Sequence, residues 1–480
     1  MTPHFHGSAS TAPLRALAPA DRIAAIADPG SVRPVAPSLD APRPSPHLAR
    51  WGIAAQDDDG VVVARGTIDG AEVLIAAQDE RFLGGSAGAN HSDALRRLFE
   101  HARAERPAAV ILLAGSGGVR LHEANAAEWG LARALSALLD VRAAGIPVLA
   151  VGVADVFGGS SVLACAAERC ALLPGVRFGV SGPAVIETAC GKGELDARDQ
   201  AAVAAVFGAE ARAAAGHVEL VADRADVVRQ WIARRWREST PFAPWLEALH
   251  EQLAARLAAG SGSNHSGAAE DLANRGARPM PPLPQNLALL FAKAKPVDEA
   301  EWLARLPDAW LCRPVGSGTL GPREAHELDS ALLAHVAPAA AADTRSIVLC
   351  GDSRGHEVSQ RAESLCLSQY LAHHAAVLAL LRAKGVRLSG LLAGVGHSAE
   401  FFANVLQATK HYALADARVV AMEPAAVARV TRLPQAELAA LIENDPLLGQ
   451  PVRHFARFAG MEILPDADPG RLGFVAAQEG

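Results

Sequence analysis

Ile111-Leu-Leu-Ala-Gly115-Ser-Gly117-Gly118-Val-Arg-Leu-His-Glu123 is an apolar run that ends in a glycine cluster and leads into a long helical pattern. A second stretch, Ile347-Val-Leu-Cys-Gly351-Asp-Ser-Arg-Gly355-His-Glu357, has the same form. Two more landmarks recur in the same order. Phe157-Gly158-Gly159-Ser160 is matched by Gly396-His397-Ser398-Ala399, and Phe178-Gly-Val-Ser-Gly-Pro183 by Val419-Val-Ala-Met-Glu-Pro424. The offsets are 236, 239 and 241 residues (347 against 111, 396 against 157, 424 against 183). One near-constant offset at three landmarks predicts an α/β pattern present twice, and a duplicated domain commonly builds one site between its copies.

Around these landmarks the chain alternates. Residues 61–65 and 71–77 read as a β-hairpin closed at Asp69-Gly70. Residues 91–105 are helical by period. Strands are expected at 109–113, 147–153, 170–173 and 177–180, and helices at 121–144 and 160–168. Such alternation argues for α/β layering. Residues 197–235 read as helical with a break near Gly216. A short helix is expected at 19–27, followed by a proline-rich connector. The richest linker composition lies at 258–285, and the second copy begins near Thr344. The domain expectation is therefore an N-terminal extension and connector at 1–46, a first domain at 47–257, a linker at 258–285 and a second domain at 286–480.

Composition narrows the function. In 480 residues half are hydrophobic, so core burial is not limiting, and a formal charge of −7 gives no reason to expect nucleic acid. No run approaches the ~18 apolar residues of a membrane span, and residues 1–20 lack the pattern of a signal peptide. The six cysteines form no CxxC pair and read as reduced thiols of a cytoplasmic protein. His91, His122, His397 and the pair His373-His374 lack a carboxylate at metal-ligand spacing, so no metal site is read.

Three chemistries compete for the glycine turns. Gly394-Val-Gly396-His-Ser-Ala399, with Asp416 downstream, fits a dinucleotide fingerprint, but the repeat partner at Gly158-Gly159 breaks it. Gly396-His-Ser398-Ala-Glu400 is one residue short of an esterase elbow, with Ser398 otherwise a helix cap. Gly117, Gly118, Gly158 and Gly159 offer a third reading. Glycines after a strand leave N–H groups unshielded, and a helix start adds donors, so two such turns together can hold an oxyanion. Otherwise they only make tight turns. Arg120 and Glu123 read as solvated or capping residues beside the first turn.

Beyond the turns the chain resembles a family. Gly115-Ser-Gly-Gly-Val-Arg-Leu-His-Glu-Ala-Asn125, Val156-Phe-Gly-Gly-Ser160 and Gly179-Val-Ser-Gly-Pro-Ala-Val-Ile-Glu187 resemble the β subunit of biotin-independent malonate decarboxylase. Ser45-Pro-His-Leu-Ala49, Asp59-Gly-Val-Val-Val63, Gly66-Thr-Ile-Asp-Gly70 and Arg81-Phe-Leu-Gly-Gly-Ser86 continue it across roughly residues 20–235. Gln407-Ala, Ala415-Asp-Ala-Arg-Val-Val-Ala-Met422, Ala428-Arg-Val-Thr431 and Pro434-Gln-Ala-Glu-Leu438 are similar, more loosely, to its γ subunit. The resemblance implies a β–γ fusion with two tandem crotonase-like (ββα spiral) domains. It implies decarboxylation of a malonyl thioester to the acetyl thioester within a larger complex. The implied partners are an acyl carrier protein bearing a CoA-like prosthetic group and an acyl-carrier-protein transferase subunit, with no cofactor or metal on this chain. Gly117, Gly118, Gly158 and Gly159 would form one oxyanion hole, and Gly355, Ser398 and Ala399 a second. The γ-like half departs from the family pattern, with Ser398-Ala399-Glu400 for Ser-Gly-Ala and Glu423-Pro424 for Gly-Lys. A biotin-dependent acyl-CoA carboxyltransferase and a non-catalytic scaffold for the carrier protein are the alternatives.

Overall fold

The computed structural model describes residues 12–260, 283–297, 301–306, 309–316, 318–339 and 346–467. It divides into two compact α/β units. The first comprises Met1–Phe242, Val358–Ala372 and Ala421–Ala439, and the second Ala243–Glu357, His373–Val420 and Ala440–Gly480. Among the described residues no helix is long and apolar enough to cross a membrane.

In the first unit, β1 (Val61–Ile68) and β2 (Ala71–Gln78) form the expected hairpin, with Ile68 paired to Ala71. Asp69 and Gly70 both take positive φ, 50° and 79°, as a two-residue turn between right-twisted strands requires. Then follow β3 (Ala109–Ser116), β4 (Val148–Phe157), β5 (Arg169–Leu172), β6 (Phe178–Gly179) and β7 (Glu219–Leu220). The sheet order is β1-β2-β3-β4-β5-β7, parallel from β2 onward, with β6 pairing the far end of β4. Every residue of β3 is buried, as a strand covered on both faces must be.

The second unit contains β8 (Lys295–Pro296), β9 (Leu303–Arg305), β10 (Trp310–Cys312), β11 (Ser346–Gly351), β12 (Arg387–Leu392), β13 (Val395–His397), β14 (Lys410–Leu414), β15 (Arg418–Val420) and β16 (Glu462–Leu464). Its sheet runs β16-β14-β12-β11-β10-β9-β8, and β13 pairs with β15 separately. The parallel block β10-β11-β12-β14-β16 has the order of β2-β3-β4-β5-β7, and the β13–β15 pair stands where β4 meets β6. Leu311, Val348, Leu391 and Leu414 line its core with Leu287 and Leu290.

Three expectations are corrected. Residues 197–235 are not one broken helix. Helices Gln200–Phe207, Ala209–Ala214 and Ala225–Arg237 surround β7, which adds to the sheet after Gly216 turns the chain at φ 72°. The compact units do not follow the sequence halves: residues 243–260 pack with the second unit and Val358–Ala372 with the first. Most of the 258–285 linker lies outside the described residues. Residues 12–27 are not an extension apart from the first domain either. Leu14, Ile23 and Ile26 of the N-terminal segment are fully buried. Arg22, on the helix Pro19–Ile26, grips Glu80 with both guanidinium nitrogens at 2.7 and 2.5 Å and also reaches the carbonyls of Leu14, Arg15 and Gln78.

Removing the buried Arg22 strands the half-buried Glu80 carboxylate and the three carbonyls it reaches. Arg22→Ala should lower unfolding free energy by about 3 kcal/mol in urea titration, whereas a loosely attached segment would give a change within about 0.5 kcal/mol.

Candidate active site

β3 and β4 end side by side in the first unit, and each is followed by a glycine turn. Gly118 has φ 92° and Gly158 has φ 62°, both in the region that favours glycine. The turns touch backbone to backbone. A Cβ on Gly118 would lie 3.2 Å from the Gly158 Cα, and one on Gly158 would lie 3.1 Å from the Gly118 Cα. Any side chain at either position would push them apart.

The four predicted glycines therefore come together, yet their N–H groups have different fates. Gly117 N–H donates to Gly84 O (2.9 Å), Gly118 N–H to Ser116 Oγ (3.2 Å) and Gly158 N–H to Val180 O (3.0 Å). These three bonds fix the shape of the turns. Gly159 opens the helix Gly159–Ala166, where the first N–H groups have no carbonyl one turn back to receive them and the helix dipole is positive. Beside the turns lies a cavity of about 530 Å³, lined among others by Gly84, Gly117, Phe157, Arg15 and Arg177.

A buried charge cluster braces the first turn from behind. Arg120 and Glu123, read as solvated or capping, are fully buried. Arg120 Nη1 pairs with Asp59 (2.5 Å) and Glu123 (2.9 Å), while Nη2 donates to Ser86 O. Glu123 also accepts the Ala89 N–H and the Ser45 hydroxyl. The loop thus gripped is the one whose Ala87 N–H donates to Gly118 O. The correction has a simple cause: Asp59 and Ser45 are too distant in sequence for local spacing to reveal. Burial, opposed by Arg120, pushes the Asp59 carboxyl up to about 6.

β6 supports the second strand of the site. Beyond it, Val180 and Ser181 both donate their N–H groups to Glu363, at 3.0 and 2.6 Å from Oε1. Glu363 lies in the Val358–Ala372 segment that completes this unit and was not singled out by any motif.

The second unit repeats the turn. Gly355 has φ 92° and donates its N–H to Ser353 Oγ at 3.1 Å, as Gly118 does to Ser116. Leu320 N–H donates to Gly355 O as Ala87 N–H does to Gly118 O. Ser398, with φ 54°, stands where Gly158 stands, 240 residues on. This moves the sequence alignment by one residue: Phe157 matches His397, Gly158 matches Ser398, and Ser160 matches Glu400. Ser398 does not cap its helix through its side chain, because helix Ser398–Ala403 has no side-chain cap. Gly396 is small to admit the Phe401 ring, which a Cβ would meet at 2.8 Å, so this glycine needs no phosphate to explain it.

The partners beneath the turns differ. In the first unit the hydroxyls of Ser116 and Ser160 meet at 2.8 Å. In the second, Ser353 donates to the buried Glu400 carboxyl at 2.6 Å. Behind Glu400, Asn404 Nδ2 donates to Oε1 at 3.0 Å and Asn404 Oδ1 lies 3.3 Å from His374 Nε2. Asp329 holds the Nδ1 atoms of His373 and His374 at 2.6 Å each. Burial raises the Glu400 carboxyl. His374 is raised despite its burial, because Asp329 favours its charged form. Sequence spacing missed this carboxylate, which is 44 residues from the histidine pair.

Two measurements follow. Ser398→Gly should stabilise the protein by about 1 kcal/mol in urea titration, because serine there bears the cost of a left-handed conformation; unchanged or lower stability would show that the turn is unstrained. Asp59, raised from 3.8 to about 6, disfavours its ionised form, so its stabilising contribution is full below pH 3.8 and is lost as pH rises through 6. Relative to wild type, Asp59→Asn should therefore gain stability between pH 4 and pH 7, by paired denaturation curves at the two pH values.

Two family descriptions match the chain. Residues 16–241 match the carboxyl transferase domain, and residues 317–474 match the malonate decarboxylase gamma subunit, MdcE. The malonyl-S-ACP:biotin-protein carboxyltransferase MADC of Malonomonas rubra is 32% identical over 203 residues, covering 39% of this chain and 63% of that protein. The acetyl-coenzyme A carboxylase carboxyl transferase subunit beta of Synechococcus sp. (strain JA-2-3B'a(2-13)) is 31% identical over 185 residues, covering 36% and 59%. The chain thus spans less than two thirds of the length of these curated relatives. A solved Pseudomonas malonate decarboxylase hetero-tetramer in complex with malonate is 32% identical with a TM-score of 0.49, covering 54% of this chain and 95% of that one.

Proposed function

From the premise that this chain belongs to the carboxyltransferase family of malonate decarboxylase, a carboxyl transferase domain followed by a gamma-subunit region, we propose that it decarboxylates a malonyl thioester at the first pair of glycine turns. The observation that carries the proposal is the backbone contact between Gly118 and Gly158 at the start of helix Gly159–Ala166. The bond between the malonyl carboxylate and the adjacent carbon breaks, and CO₂ leaves. The electron pair passes into the thioester carbonyl, giving an enolate whose carbon then takes one proton, so malonyl thioester plus a proton gives acetyl thioester plus CO₂.

The N–H groups of Gly159 and Ser160, with the positive end of the helix dipole, face the developing oxyanion. One such donor is typically worth about 10²–10³ in rate. Gly117, Gly118 and Gly158 act through shape, since their N–H groups hold the turns in place. The second turn, Gly355 with Ser398 and Ala399, keeps the same backbone but stands over a carboxyl group, so the reaction is assigned to the first. The thioester is its own electron sink. The proposal needs no cofactor on this chain. The acyl group arrives on a CoA-like prosthetic arm of an acyl carrier protein, loaded by a separate transferase in a cytoplasmic complex. The recurrence of strand order and turn chemistry supports descent of both crotonase-like units from one duplicated domain.

A second reading has specific support: the Malonomonas relative passes its carboxyl group to a biotin protein. The test is mass spectrometry of a malonyl-loaded carrier protein after incubation with EDTA-dialysed chain and avidin. Loss of CO₂ under these conditions supports decarboxylation, and a reaction that resumes only when biotin protein replaces avidin selects carboxyl transfer. Gly158→Val should abolish turnover while leaving far-ultraviolet circular dichroism unchanged, because a side chain there separates the two turns. Full turnover in this variant would move the chemistry elsewhere.

A further inference from the structure

The cradle of the first unit is not built from the first half of the sequence alone. Helix Gly159–Ala166 and its surroundings are held by residues of Val358–Ala372, which belong to the same compact unit. Ser161 and Ser368 share a hydroxyl hydrogen bond at 2.8 Å. The Cys165 and Cys366 thiols are hydrogen-bond neighbours. Gln369 donates to His217 O, and Gln360 N–H is received by Glu194. At the near end of this segment, Glu363 reaches the backbone that sets Gly158. Its Oε1 takes the N–H groups of Val180 and Ser181, and Oε2 lies 3.2 Å from Val180 N and 3.4 Å from Arg212 Nη2. Val180 in turn receives the Gly158 N–H on its carbonyl. Three covalently linked atoms of one peptide thus separate the carboxylate from the turn.

The local backbone is made for this carboxylate. A Cβ on Gly179 would lie 2.5 Å from Glu363 Oε2, closer than any side chain tolerates. Arg212 is buried with it and donates to the carbonyls of Phe178 and of Glu363 itself. Neither Glu363 nor Arg212 touches the cavity beside the turns, whose lining includes neither. Their link to the turn runs through the backbone of Val180 and Ser181.

We infer that Glu363 is a positioning residue for the Gly158–Gly159 turn: by receiving two consecutive N–H groups it fixes Val180, and Val180 fixes the glycine. The inference rests on the reading that this turn is where the thioester reacts. The protonation state of Glu363 matters to the arrangement. A carboxylate accepts every one of these donors, whereas the neutral acid must turn one oxygen into a donor facing N–H groups. Burial raises its pKa to about 7, against the pull of Arg212 and the two backbone N–H groups and with a further push from Cys366.

The test compares wild type, Glu363→Gln and Glu363→Asp as full-length proteins. Hydrogen–deuterium exchange by mass spectrometry reads the turn, and thioester turnover reads the chemistry. In Glu363→Gln the peptide spanning 157–161 should exchange at least several-fold faster, with exchange in β3 unchanged. The kcat should fall by about 10²-fold, the scale of one lost oxyanion donor, while KM stays within about two-fold. Glu363→Asp, which keeps the charge, should recover part of the rate. Wild-type exchange and kcat in Glu363→Gln overturn the inference. So does a rate loss that only follows loss of folded protein. Should Glu363→Gln fail to fold, Gly179→Ala supplies the same test, since it displaces the carboxylate without removing it. If exchange at 157–161 rises but wild type decarboxylates nothing, the positioning role stands and the proposed reaction is what fails.

Discussion

A single buried carboxylate receiving two successive backbone N–H groups sets the geometry on which the first unit depends. Glu363 meets Val180 and Ser181 where β6 has ended and, among the described residues, no further strand takes those donors. Left unmatched, each buried N–H would cost about 1–3 kcal/mol. A carboxylate is the one side chain that receives two adjacent donors with spare acceptor capacity for a guanidinium, which Arg212 occupies. The consequence is a stiff path from Arg212 to Gly158. The segment that brings Glu363 comes from residue 358 onward, so the glycine turn and the residue that steadies it are separated by some two hundred positions of sequence.

The same turn occurs twice, and the chemistry under it shows what is structural and what is free to vary. In both units a serine two residues before a left-handed glycine takes that glycine's N–H. In both, the residue after the second strand has positive φ, glycine in one and serine in the other. These features make the turn. The partner of the serine hydroxyl does not. It is Ser160 in the first unit and Glu400 in the second, and the second is backed by Asn404, His374 and Asp329. A neutral hydroxyl pair beneath a helix start leaves its positive potential available to an anion. An acid beneath it opposes one whenever it is ionised.

Much of this was legible in the sequence because it is local. The hairpin at Asp69-Gly70, the all-apolar β3 and the glycines at 117, 118, 158 and 355 each declare a backbone need that few residue types meet. The one-residue slip in aligning Gly396–Ala399 had a physical cause. Gly396 looks like a turn glycine in sequence, but it is small because Phe401 packs on it, and the turn itself is made by Ser398. What could not be read is what long-range packing decides. Arg120 and Glu123 look like surface helix-start residues until Asp59 and Ser45 arrive from elsewhere. The histidine pair at 373 and 374 looks unpartnered until Asp329 lies between them. Glu363 sits in an unremarkable amphipathic stretch. The two-residue strand β7 is too short to leave a period.

The central claim is that the start of helix Gly159–Ala166 polarises a thioester carbonyl. Infrared difference spectroscopy of an acetyl thioester, isotope-labelled at its carbonyl and bound to the full-length protein, measures that directly. The account predicts a carbonyl stretch well below its frequency in water, returning to the water value when Gly158 is replaced by valine. A bound thioester whose carbonyl absorbs as it does in water, in wild type and variant alike, would contradict it.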